Sequence, residues 1–297
     1  GVVRGVGLVG RAGDLRLAAS ASRPPPEGSA DARLGDSLEE TVVQLLRNDR
    51  GTLPLLRPVI LALPPELAGR LVRAVAAHDD PRALAFLVDA LALAPRLELP
   101  LLCGIARAAR RHGPPFDDGL AAALRPYLGH ADRQIVRTAL EAVGELQDPL
   151  ALERLLEHAA SSEKGLSAAA FQALRRVTLQ TLPERVERWR AWYAAERRWE
   201  EERGPLLREA LRGDDPAGLC AALRELGSHP LRRAQLAPIV AGLLTHPDEG
   251  VRLSACNTAR TFGPELSSAL LAEITRDPSP AVASAARAAL GQPLERN

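Results

Sequence analysis

Residues 130–144 read HADRQIVRTALEAVG. Asp132 stands where a helix N-cap would stand, and Val136-Arg137 follow. Small and apolar residues then recur at three- and four-residue spacing as far as Gly144, the pattern of an amphipathic helix. The design returns as LSAAAFQALRR (166–176), AGLCAALRELG (217–227), VRLSACNTARTFG (251–263) and AVASAARAALG (281–291). Their first apolar positions, Val136, Leu166, Ala217, Val251 and Ala281, are separated by 30, 51, 34 and 30 residues. The period is near 30, and the one long step has room for an added or lengthened helix. A second helix repeats as well, as LERLLEHA (152–159), LAPIVAGLLTH (236–246) and LSSALLAEITRD (266–277). One such helix pair cannot bury its own apolar stripe, but stacked pairs bury a continuous core. The pattern predicts an all-α fold, a right-handed α-α superhelix of the solenoid kind.

Composition agrees with helices. Of 297 residues 46% are hydrophobic but only 3% aromatic, so Ala and Leu carry the apolar load. The 38 basic and 37 acidic residues nearly cancel, to a net charge of +1. That balance speaks against a broad phosphate-binding surface, and nucleic acid is not the expected partner. Lys164 is the sole lysine. Cys103, Cys220 and Cys256 lie far apart in apolar segments and read as small buried hydrophobes, not as a disulfide framework or zinc motif. No run of 18 uninterrupted apolar residues occurs, so no membrane span is expected. Met is absent even at position 1, from which the reading expects a native start upstream of Gly1. A cytoplasmic location is favoured, with export left open by that missing start.

Two regions follow from composition shifts. Residues 1–35 are expected to be a flexible N-terminal arm ending in a Pro-rich linker, ASRPPPEGSADARLGD, with GVVRGVGLVG–LRLAAS read either as a short hairpin or as the tail of another domain. Residues 36–297 form the helical-repeat domain. Asp-Pro pairs at Asp80-Pro81, Asp148-Pro149, Asp215-Pro216 and Asp277-Pro278 predict helix starts, as do Asp132 and Asp248. Gly204-Pro205 predicts a break in the long helical run beginning near residue 183.

At HADRQIVRTALEAVGELQDPLALERLLEHA and HPDEGVRLSACNTARTFG the chain resembles bacterial HEAT-repeat proteins, in particular the HEAT-like repeats of the phycobilisome-lyase type. The resemblance implies a HEAT/armadillo-like solenoid. It also implies that Asp132, Arg137, Asp248 and Arg252 tie neighbouring repeats together. Arg175-Arg176-Val177-Thr178, followed by Trp189, Trp192 and Tyr193, is similar to a repeat variant of that class. The class hosts unrelated activities, so function has to be read from sites.

No catalytic constellation stands out. The six histidines fall at helix C-terminal ends, where capping of free carbonyls is the expected role. No HExxH, phosphate loop or GxSxG elbow occurs, and no His-Glu dipeptide of the kind repeated in HEAT-like metal hydroxylases. No cofactor and no metal ion are expected. The arginines of RAARRH (107–112) and ERVERWR (184–190) read as solvated helix faces.

One segment differs: RVERWRAWYAAERRWEEERGP holds all three tryptophans. Val186, Trp189, Trp192 and Tyr193 share a helical stripe that continues into Glu196 and Glu200. The spacing predicts Trp189 and Trp192 buried between repeats and Trp199 largely exposed. Tyr193, Arg197, Trp199 and Arg203 are the candidate partner-binding residues, while Trp189 and Trp192 are structural. The expected function is a non-catalytic scaffold or adaptor holding a protein or peptide on a concave surface. The alternatives are a lyase-like or maturation enzyme and a DNA-binding repeat protein. The small-residue face of the final helix further predicts weak self-association.

Overall fold

The computed structural model describes residues 39–47 and 50–291; the arm assigned to residues 1–35 lies outside them. Every regular element among the described residues is helical. The described residues fall into two compact units, one ending at Leu146 and one beginning at Gln147, with Gly113–Pro115 counted to the second.

The first unit holds α1 (39–47), α2 (Leu56–Ala62), α3 (Pro65–Ala76), α4 (Arg82–Leu93), α5 (Glu98–His112), α6 (Asp118–Leu124) and α7 (Arg133–Glu145). Helices α3, α5 and α7 pack side by side, and α2, α4 and α6 form a second row against them. Each helix thus touches the helix two further on, as expected of stacked pairs. Leu71, Leu87, Leu101, Leu102, Ile105 and Leu140 are fully buried between the rows. Ala and Gly bring backbones close: a Cβ on Gly104 would stand 2.5 Å from Val72 Cγ1, so α5 approaches α3 more nearly than any side chain permits.

The second unit holds α8 (Leu152–Ala159), α9 (Lys164–Thr178), α10 (Val186–Glu202), α11 (Gly204–Ala210), α12 (Pro216–Leu226), α13 (Arg233–Leu243), α14 (Glu249–Arg260), α15 (Pro264–Leu271) and α16 (Pro280–Ala289). Here α12, α14 and α16 form one row and α13 and α15 the other, around Leu223, Val240, Val251, Ala259 and Phe262. The long step in the period is filled by α10 and α11, with the break at Gly204-Pro205 where the sequence places it.

The helix starts follow the Asp residues. Asp132 accepts from Gln134 N–H, Asp148 from Leu150 N–H, Asp215 from Ala217 and Gly218 N–H, and Asp248 from Val251 N–H. Asp80 accepts from Arg82 N–H at 2.9 Å. Asp277 likewise accepts from Ser279 N–H, at 2.8 Å, but Ser279 is the N-cap of α16, and the Asp277 carboxylate also takes Nε and Nη2 of Arg252 at 2.9 and 3.1 Å.

Three histidines also depart from the expected role. In His78-Asp79-Asp80, His130-Ala131-Asp132 and His246-Pro247-Asp248 the imidazole Nδ1 accepts the Asp backbone N–H, at 3.1, 2.9 and 3.0 Å. They brace the turn that presents the next helix's capping Asp, instead of donating to the helix just ended. With Nδ1 accepting, the proton sits on Nε2. His78 Nε2 then donates to Leu46 O at 3.1 Å, a carbonyl in the last turn of α1.

Candidate functional site

The aromatic segment forms α10, and its side chains diverge to three places. Near the start, Trp189 is fully buried, and its indole N–H donates to Pro183 O at 2.9 Å. Trp192 meets it edge-to-face, with ring centroids 6.4 Å apart, but is only half-buried, not enclosed as its stripe predicts.

At the other end, Trp199 is not the water-facing ring expected from the Glu residues beside it. It is half-buried and packed on the core of the second unit. Its ring lies flat on His229 at 3.5 Å and 5°. Its N–H donates to Glu225 Oε1 at 3.0 Å, and Arg203 grips the same carboxylate at 2.9 and 2.8 Å. The Arg203 guanidinium, with help from the Trp199 N–H, holds the Glu225 carboxyl down at about 2.

Glu196 also reverses its expected place. It is buried, with 6% of its surface exposed, and faces His229 Nδ1 at 2.8 Å. Burial pushes its carboxyl above the usual range, and the hydrogen bond from His229 acts in the opposite direction. Glu200 is held by Arg208 at 2.8 Å and approached by Arg232 at 3.7 Å.

Between these ends, α10 forms one wall of an open cleft of about 90 Å³. Tyr193, Glu196, Arg197 and Glu200 come from α10. Pro149, Leu150 and Leu152 come from the start of α8, and Leu231 and Arg232 from the turn that precedes α13. Leu150 leaves 67% of its surface in water, high for a leucine beside a concavity. Arg197 is also exposed and reaches Glu153 at 3.3 Å. Burial raises the Tyr193 phenol, so it stays protonated and able to donate.

Of the partner-binding candidates, Tyr193 and Arg197 therefore line the cleft, while Trp199 and Arg203 meet at Glu225 beside it. Leu150, Leu231, Arg232, Glu196 and His229 were not among those candidates. The only signal for His229, Leu231 and Arg232 was HPLRR at 229–233, a turn motif that says nothing of what it faces. Asp132 and Arg137 belong to the first unit. There Asp132 caps α7 and Arg137 is exposed on it. In the second unit Asp248 caps α14, and Arg252 reaches forward to Asp277 in the next pair. RAARRH is more than a solvated face: Arg110 bonds Glu145 at 2.8 Å, and Arg111 pairs with Asp79 of an earlier helix pair. Among the described residues, no group of three or more His, Cys, Asp or Glu is placed to hold a metal ion. No described helix is long and apolar enough to cross a membrane.

The family model "HEAT repeats" matches residues 204–291. This part of the chain is built of HEAT repeats. The match covers α11 to α16, where the row packing of α12, α14 and α16 is most regular. Among curated proteins no significant match is found. Solved structures of similar helical build include the CpcE–CpcF complex of phycocyanin lyase from Nostoc, at 15% identity and TM-score 0.39, covering 91% of this chain and 96% of that one. An engineered protein matches at 16% identity and TM-score 0.34, covering 97% of this chain and 82% of its own. Human deoxyhypusine hydroxylase matches at 16% identity and TM-score 0.33, covering 94% and 96%. Likeness at this level carries nothing about activity.

Proposed function

We propose that this chain is a non-catalytic scaffold or adaptor that holds a protein or an extended peptide on its helical-repeat surface, with the α8–α10 cleft as a docking place. The observation that carries this reading is the exposed Leu150 at a cleft shared with Tyr193 and Leu231, bordered by Arg197 and Arg232. An apolar anchor would displace water from Leu150 and Leu231. Tyr193 would offer a rigid aromatic edge and a hydroxyl donor, and the guanidinium groups would orient main-chain carbonyls or acidic side chains. Stacked repeats supply such a surface already ordered, so binding demands little reorganisation. The near-zero net charge, and arginines engaged with carboxylates such as Glu145, Glu225 and Asp277, favour a protein over a nucleic acid.

The test is selection of peptides from a random display library on the intact chain, followed by binding to Leu150→Asp and Tyr193→Ala. The reading expects each variant to melt like the parent and to lose the selected peptides by tenfold or more. Peptides that bind the parent and both variants equally would remove the cleft from the proposal.

A further inference from the structure

His229 is gripped by α10 on two sides. Trp199 lies flat against its ring, and Glu196 faces its Nδ1. While Glu196 is ionised, Nδ1 must carry the proton and donate, the opposite of its accepting role in His78, His130 and His246. Leu231 and Arg232 then form the cleft wall opposite α10. The pair therefore joins the two walls through a buried ionisable contact, with Glu196 7% and His229 22% exposed at the side chain.

We propose that Glu196, His229 and Trp199 form a proton-sensitive clasp that sets how tightly the wall at residues 229–232 is held against α10. Proton uptake by Glu196 favours the clasped form. Burial is the largest influence on this carboxyl and raises its pKa, while an opened clasp would return it to water and to its ordinary value of 4.5. An acid raised in this way contributes stability that is fully present below the ordinary value and is lost as pH rises through the raised one. The clasp is thus tightest in mild acid and slackens toward neutral pH.

The surrounding charges fit this assignment. On α10 itself Glu200 stands near and repels, raising the carboxyl further, and Arg197 is turned to Glu153 of α8. From the turn come His229 and Arg232, and from α11 comes Arg208, which holds Glu200. From α12 comes Glu225, paired with Arg203 and ionised down to about 2, so it does not titrate in the window. Tyr193, raised by burial, loses its proton only well above it.

Amide hydrogen exchange on the intact chain from pH 4.5 to 7.5, corrected for intrinsic rates, tests the clasp directly. Protection at the amides of His229, bonded to Leu226 O at 3.0 Å, and Arg233, bonded to Pro230 O, is expected to fall with rising pH, by at most about tenfold per pH unit for one proton. In Glu196→Gln it is expected to be flat. Protection that is independent of pH in the parent, or that falls equally in Glu196→Gln, overturns the proposal. Should the variant fail to fold, the parent alone decides. The Glu196 carboxyl carbon and the Trp199 indole N–H must titrate together with these amides, and discordant midpoints sink the idea. Only the consequence for binding rests on the docking reading above. Loss of peptide binding with intact pH-dependent exchange would remove the docking place and leave the clasp.

Discussion

Arg233 gives the sharpest test of how the second unit is held together. It is a buried guanidinium, 3% exposed, at the first turn of α13. One Nη donates to Val177 O at 2.9 Å and Pro230 O at 2.8 Å, and the other to Gln147 Oε1 at 2.6 Å. Val177 lies in the last turn of α9, whose carbonyls lack intrahelical partners because the chain leaves the helix through Leu179 at φ 56°. The arginine thus caps one helix from the start of another, and Leu179 holds a conformation that favours glycine. Burial pushes Arg233 down to about 10, a change equivalent to about 3 kcal/mol against the charged form. Its charge-assisted hydrogen bonds contribute about 1.5–3 kcal/mol each and outweigh that loss. Arg233→Ala removes both and strands the acceptors, for a net loss of about 2–4 kcal/mol. For a unit of this size that lowers the melting temperature by roughly 5–15 °C. Trp fluorescence is the assay, because all three tryptophans lie in this unit. Arg233→Met keeps the packing but not the donors, and is expected to lose nearly as much. A melting point within about 1 °C of the parent for both variants would show that water serves these carbonyls as well as the arginine does.

Other outcomes follow from the same contacts. Trp189→Ala should lose about 3–5 kcal/mol and Trp199→Ala less, measured by chemical denaturation followed by circular dichroism; the reverse order would contradict the burial described. His246→Ala should lose about 1 kcal/mol by freeing the Asp248 N–H, and Asp248→Ala a similar amount, with little further loss in the double variant because the two act as one turn. Arg252 holds the Asp277 carboxyl below its usual 3.8, so this tie stabilises above that value and is lost as pH falls through the lowered one. Thermal melts in acid should therefore lose less on acidification in Arg252→Gln than in the parent. The small-residue end helix α16 predicts weak self-association, and a strictly concentration-independent sedimentation coefficient would refute it.

The helical rhythm was open to reading because it depends on local chemistry. Asp132, Asp215 and Asp248 cap helices wherever they stand, and a stripe of Ala and Leu needs a neighbour whatever the neighbour is. The side chains of α10 depend instead on partners far along the chain. Glu196 and Glu200 look like surface residues because each opens a charged run, Glu196-Arg197-Arg198 and Glu200-Glu201-Glu202, yet His229, which lies 33 residues on, makes Glu196 a buried anchor. Trp199 follows it inward for the same reason. Asp277 stands two residues ahead of the true N-cap, Ser279, so its Asp-Pro marks the approach to α16, and Arg252 of the previous repeat takes the same carboxylate. Leu150 sits in a DPLAL start whose neighbours at the same step are apolar and buried, and only the added α10 shows what faces it.

The histidines show how the same residue type serves opposite chemistry in one repeat array. Where a turn closes as His-x-Asp, the imidazole Nδ1 accepts the Asp backbone N–H and the proton sits on Nε2. Where α10 intrudes, His229 Nδ1 instead faces the Glu196 carboxyl at 2.8 Å. The His-x-Asp turns thus share one tautomer. The inserted α10–α11 step breaks that uniformity at the place where the exposed cleft forms, which is why the cleft, and not the regular repeats, is where regulation of binding is to be sought.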